Sequence, residues 1–143
     1  MPALPDGPWT VASGDSDGAP LFIRLNTGAA TVARHPSLLH RVGIAVPLLA
    51  PDTDGLPGAE ESGALSRIEA SIESALRVGH ESILTVVLTT GGMREFVLYT
   101  STPHNVEKGV AAVRTGFPGY EVQCYVEHDK DWDGYASFAD ALQ

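Results

Sequence analysis

Residues 82–100 read SILTVVLTTGGMREFVLYT, and this stretch decides the fold. Two runs rich in β-branched and aromatic residues flank Gly91-Gly92, a pair that can take the positive φ angles a two-residue hairpin turn demands. The pattern predicts an antiparallel hairpin. On its N-terminal side, AEESGALSRIEASIESALRVG (59–79) sets Leu65, Ile68, Ile72, Ala75 and Leu76 at three- and four-residue spacing, one stripe of a helix. Glu60, Glu61, Glu69 and Glu73 are left for its solvent face or first turn, and Gly79 offers a stop. On the C-terminal side, PHNVEKGVAAVRTGF (103–117) repeats the device with Val106, Val110, Val113 and Phe117. One step further out lie two alternating runs. RVGIAVPLL (41–49) puts Val42, Ile44, Val46 and Leu48 on one face, with Pro47, which lacks an amide donor, expected near the strand end. YEVQCYVEH (120–128) does the same with Val122, Cys124 and Val126.

Over 41–128 the order is therefore strand, helix, strand, strand, helix, strand. The predicted class is α+β, a ferredoxin-like βαββαβ sandwich with both helices on one face of a four-stranded antiparallel sheet. The other face would carry Arg41, Ala45, Thr85, Val87, Glu95, Val97, Tyr99, Gln123 and Tyr125. That set is too apolar to face water, so the N-terminal hairpin is expected to extend or cover it, or else a second subunit or a ligand does. PWTVASGDSDGAPLFIRLN (8–26) supplies the hairpin: strands at Trp9–Ala12 and Leu21–Asn26 around the turn SGDSDG. Residues 27–40 have no clear period and read as loop or a short irregular helix, and 129–142 as an acidic turn and short terminal helix. The whole chain, 1–143, reads as one domain.

The composition, 43% apolar and 19% charged over 143 residues, is that of a globular chain. The longest apolar stretch, VGIAVPLLA (42–50), suits a buried strand and falls short of a membrane span. MPALPDGPW at the start has no basic residue and no apolar core, so a cytoplasmic location is expected. Eighteen acidic against nine basic residues give a net charge of −9. Such a surface repels phosphate backbones and anionic membranes, so no nucleic acid and no membrane partner is expected. It can steer a basic protein, or simply keep the chain soluble. Cys124 is the single cysteine, which excludes an intramolecular disulfide; on the apolar side of its strand it reads as an inert thiol.

Little else points to chemistry. In HDKDWDGYASFADAL (128–142), Asp129, Asp131 and Asp133 alternate, Gly134 follows, and Asp140 stands at the twelfth position of a calcium-loop pattern. Against calcium, the lead-in alternates like a strand, and Asp140 is one methylene shorter than the bidentate Glu such loops use. The competing reading has Asp129 or Asp131 capping the terminal helix while Trp132 and Tyr135 pack on the body. The five histidines show no metal-ligand spacing, and no nucleophile motif, phosphate loop or dinucleotide fingerprint occurs, so no catalytic residue and no cofactor is assigned. The most suggestive polar placement is MREFVLYT (93–100): Arg94 opens the strand, and Glu95 and Tyr99 join Arg41 and Tyr125 on the open face, a patch suited to a peptide or small anion.

Together PWTVASGDSDGAPLFIRLN, RVGIAVPLLAPDTDGLPGAEE, SRIEASIESAL, GGMREFVLYT and HDKDWDGY resemble the bacterial family known as domain of unknown function 695, over nearly the whole chain. The resemblance takes in Asp129, Asp131, Trp132 and Tyr135 but passes over Asp133 and Gly134, which a calcium loop needs and a capped helix does not. It implies no activity. Some of the family's members resemble fusions to a domain similar to the protein inhibitor of ribonuclease E, which implies, by analogy alone, a protein-binding regulator.

The expectation is thus a non-catalytic regulatory or inhibitory module with a protein partner, or a homodimer through the open sheet face. Its surface residues would be Arg41, Arg94, Glu95, Tyr99, Tyr125, Asp131, Trp132 and Tyr135. The alternatives are a small-ligand binder or enzyme using the open face, and a metal-binding module at Asp129–Asp140, with Asp129, Asp131 and Asp133 as ligands.

Overall fold

The computed structural model describes residues 1–142, so Gln143, the end of the expected domain, lies outside the described residues. The elements are β1 (Trp9–Ser16), β2 (Ala19–Asn26), β3 (His40–Pro47), α1 (Ala59–Ala75), β4 (Ser82–Thr90), β5 (Met93–Thr100), α2 (Val106–Gly116), β6 (Gln123–His128) and α3 (Asp133–Ala141). The predicted 82–100 hairpin forms with Thr90 paired to Met93. Gly91 and Gly92 both have positive φ, 58° and 79°, as a tight turn between right-twisted strands requires.

The protein is α+β, with all six strands in one antiparallel sheet of order β1-β2-β4-β5-β3-β6. The α+β class is as expected, with the added hairpin widening the four-stranded core to six strands; the order of the whole sheet is not a simple ferredoxin arrangement, which corrects the expected ferredoxin-like βαββαβ topology. Of the two placements expected for the β1–β2 hairpin it takes the first, extending the sheet at β4, and its strands run further into the acidic turn than expected, to Ser16 and from Ala19.

One face of the sheet packs under α1 and α2. Val42, Ile44, Val46, Leu84, Val87, Phe96 and Leu98 meet Leu65, Ile68, Ile72, Leu76, Val106, Val110 and Val113, the helical stripes read from the sequence. A bulge at Thr85 shifts the β4–β5 register between Leu84 and Val86, and the Thr85 hydroxyl donates to the Val97 carbonyl at 2.8 Å. The extra residue turns Val87 to the helix side, against the expectation that it faces away, and sends Val86 to the opposite face, where Ile83 already lies by alternation with Leu84. There, Ile23, Leu25, Val97 and Tyr99 are covered by Ala29, Val32 and Leu38 from the aperiodic 27–38 segment, which begins as a 3-10 turn, and by Trp132 and Tyr135. A second core thus closes most of the face expected to be open.

Glu61 stands in the first turn of α1, one of the two places expected for it, but it is buried rather than solvent-facing. Its carboxylate accepts the amides of Leu49 (2.7 Å) and Ala50 (3.1 Å) and the Tyr120 hydroxyl (2.8 Å), tying the β3–α1 loop and the chain before β6 to one helix. Burial alone would raise its pKa; the Leu49 amide, the Tyr120 hydroxyl and the Ala50 amide outweigh it and hold the carboxyl low. Glu61→Gln turns an NH2 group toward these donors and should cost about 1–3 kcal/mol in urea denaturation at neutral pH.

Candidate functional site

The side chains that the sequence marks as informative converge where β6 hands over to α3. Past His128, the Asp129 amide still donates to the Leu39 carbonyl at 2.7 Å, so the ladder with β3 runs one residue beyond the strand. The Asp129 carboxylate is buried and saturated. Its Oδ2 accepts the Tyr99 hydroxyl (2.7 Å), the Gly134 amide (3.1 Å) and Arg41 Nη1 (3.2 Å), and its Oδ1 accepts the Asp133 amide (2.9 Å). Asp129 therefore caps the start of α3 from outside the helix, satisfying two orphan amides while neutralising a guanidinium.

Trp132 follows in the left-handed region, φ 58°, a costly conformation for a bulky residue and one its packing must hold. Its ring stacks on Tyr99 with centroids 4.0 Å apart and planes within 9°. Its indole N–H donates to the Leu38 carbonyl at 2.9 Å, and Tyr135 meets it edge-on while donating to the Asn26 carbonyl at 2.8 Å. The helix-cap and packing reading of this stretch is the one the structure bears out.

Several of the proposed surface residues are therefore interior ones. Tyr99, Trp132 and Tyr135 are buried in the second core. Arg94 faces the other way, toward α1, where its Nε donates to the Thr89 hydroxyl at 2.9 Å; burial and then neighbouring Arg24 lower its pKa, with Glu69 opposing. Asp131 is exposed, and its carbonyl accepts Arg34 Nε at 3.3 Å. The candidate ligands Asp129, Asp131 and Asp133 do not gather into a metal site: Asp129 is spent on four donors, Asp131 is exposed, and Asp133 opens α3, while Asp140 of the same pattern lies within that helix. Among the described residues, no three His, Cys, Asp or Glu side chains gather as a metal ion would need.

What remains together on the outer strip is Arg41, Glu95 and Tyr125. Gly43 leaves the Tyr125 ring room to lie flat on β3, where a Cβ would overlap it. The Tyr125 hydroxyl donates to Glu95 at 3.2 Å, and Arg41 pairs with Glu127 while its guanidinium carbon lies 6.0 Å from the Tyr125 ring centroid. Burial and the Glu95 charge push Tyr125 up to about 12, with Arg41 opposing. Cys124 is pushed up to about 11 by burial and Glu107, with Arg114 opposing, so it stays a thiol at neutral pH.

β6 itself is a sheet edge. Because Asp129 bonds directly to its partner Leu39, alternation along the antiparallel ladder turns the backbone groups of Gln123, Tyr125 and Glu127 toward β3. Those of Cys124, Val126 and His128 point outward, unpaired. Val126, expected inside with Cys124, is exposed, as is Tyr125. The structure also pairs His40 with His128 edge-on at 5.4 Å, a contact between strands that linear spacing does not reveal.

No helix among the described residues is long and apolar enough to cross a membrane. No curated protein and no solved structure matches the chain. Residues 7–139 match the model of a family of unknown function, DUF695, and with nearly its whole length covered the chain belongs to that family.

Proposed function

We propose that the chain is a non-catalytic regulatory or inhibitory module that captures a basic, extended segment of a protein partner by adding it as a strand to β6. The observation that carries this is the free β6 edge. Six residues long, it turns the backbone groups of Cys124, Val126 and His128 outward and has Tyr125 and Val126 exposed along it. No Pro or Lys lies on it to discourage pairing. Glu121, Glu127 and Glu95 flank the strip and outnumber Arg41, which Glu127 pairs, so lysines or arginines at alternate positions of an incoming strand meet opposite charge. The neighbour order β4-β5-β3-β6, with α1 and α2 on one side, supports reading this part as a ferredoxin-like sandwich to which the hairpin adds two strands.

Val126→Pro tests the proposal cleanly. It deletes an outward amide and leaves the β3–β6 ladder intact, as proline on the solvent side of an edge strand does. Affinity capture from a cell lysate should recover one stoichiometric protein with the wild type and lose it with Val126→Pro. A partner retained equally by the variant, or a second copy of this chain in its place, refutes the reading.

A further inference from the structure

We propose that the cavity where α1 and α2 meet the end of β4 and β5 binds a small organic monoanion, a carboxylate on a short hydrocarbon body. The cavity measures about 360 Å³, within the range of small-ligand sites, and lies away from the β6 edge. Leu76 and Val106, both buried, form its apolar wall; Arg77, Lys108, Asn105 and Thr102 form its polar rim.

The charge at the rim runs against that of the chain. In a sequence with eighteen acidic and nine basic residues, two cations stand here beside a single carboxylate, Glu81. Glu81 is already engaged, 3.3 Å from Arg77 Nε and accepting the Thr102 hydroxyl at 3.1 Å. Lys108 has no carboxylate partner among the described residues. Deeper in, the Ser82 hydroxyl donates to Thr100 Oγ1 at 2.9 Å, which also accepts the Thr102 amide at 3.1 Å and lies 3.3 Å from the Glu81 carbonyl. These hydroxyls satisfy one another. The spare capacity is therefore in the ammonium and guanidinium, which only donate, so a ligand has to bring acceptors and negative charge.

Arg77 sits just past α1 with φ 53°, the left-handed helix end closed by the Val78 amide on the Glu73 carbonyl, and its side chain stands at the cavity mouth.

The test is an amide NMR titration of the intact chain with hexanoate, hexylamine and inorganic phosphate as probes. Hexanoate should give saturating shifts confined to residues 75–82 and 100–112, hexylamine none, and phosphate weaker ones for want of the apolar wall. Lys108→Glu, an exposed position that does not threaten folding, should weaken hexanoate binding by at least about tenfold. Val126→Pro should leave it unchanged, which separates this site from the β6 edge. Shifts that never saturate, hexylamine or phosphate binding as well as hexanoate, or a Lys108→Glu variant that binds normally would each overturn the assignment.

Discussion

Trp132→Ala should lower the unfolding free energy by about 3–5 kcal/mol, a large share of what a domain of this size holds. The ring is 1% exposed, stacked on Tyr99 and edge-on to Tyr135, and its removal opens a cavity between β5 and α3 and leaves the Leu38 carbonyl without its donor. Trp132→Phe keeps an aromatic face against Tyr99 and forfeits the indole donor, so it should fall between wild type and alanine. Urea denaturation with unchanged slope measures both. A loss under about 1 kcal/mol for the alanine variant would mean that the second core does not depend on this ring.

Asp129→Ala should cost a comparable amount, about 3–5 kcal/mol at neutral pH, because it strands a buried tyrosine hydroxyl, two helix amides and a guanidinium together. Its pH dependence carries a sign. Burial alone would raise the Asp129 pKa; the Tyr99 hydroxyl, the Gly134 and Asp133 amides and Arg41 outweigh it, so the folded value lies below the ordinary one. A carboxyl held low contributes stability that is complete above its unfolded pKa of about 3.9 and is lost as pH falls through the folded value. The gap between wild type and Asp129→Ala should therefore be widest at neutral pH and narrow through that acid window. A gap constant from pH 7 to pH 2 would contradict the charge state assigned to Asp129.

The two Val/Ile/Leu stripes and the central hairpin were legible because burial under two helices imposes periods of 3.6 and 2 on the residues themselves. What was illegible depended on pairings between distant segments. Nothing in SILTVVLTT marks Thr85 as a bulge, since threonine suits a strand equally well in register, yet that residue decides which face Val87 serves. The alternation of MREFVLYT placed Tyr99 correctly on the face away from the helices, but its cover comes from the aperiodic 27–38 segment and from α3, neither of which has a pattern pointing to a sheet. Glu61 is a first-turn acid as its position suggests, but its burial is not legible because its partners lie 12 and 59 residues away. Asp129 and Trp132 were readable as a cap and a packing ring, and the same reading already argued against placing Trp132 and Tyr135 on a binding surface.

The chain seals most of its second sheet face with Trp132 and its neighbours and leaves the β6 edge unpaired, where the proposed partner strand would add. Amide and indole hydrogen exchange in the free protein tests it most directly. The amides of Cys124, Val126 and His128 should exchange nearly as fast as in an unstructured chain, while those of Tyr125 and Glu127 and the Trp132 indole N–H are protected. Protection of all the β6 amides alike, or rapid exchange of the Trp132 indole, would contradict it.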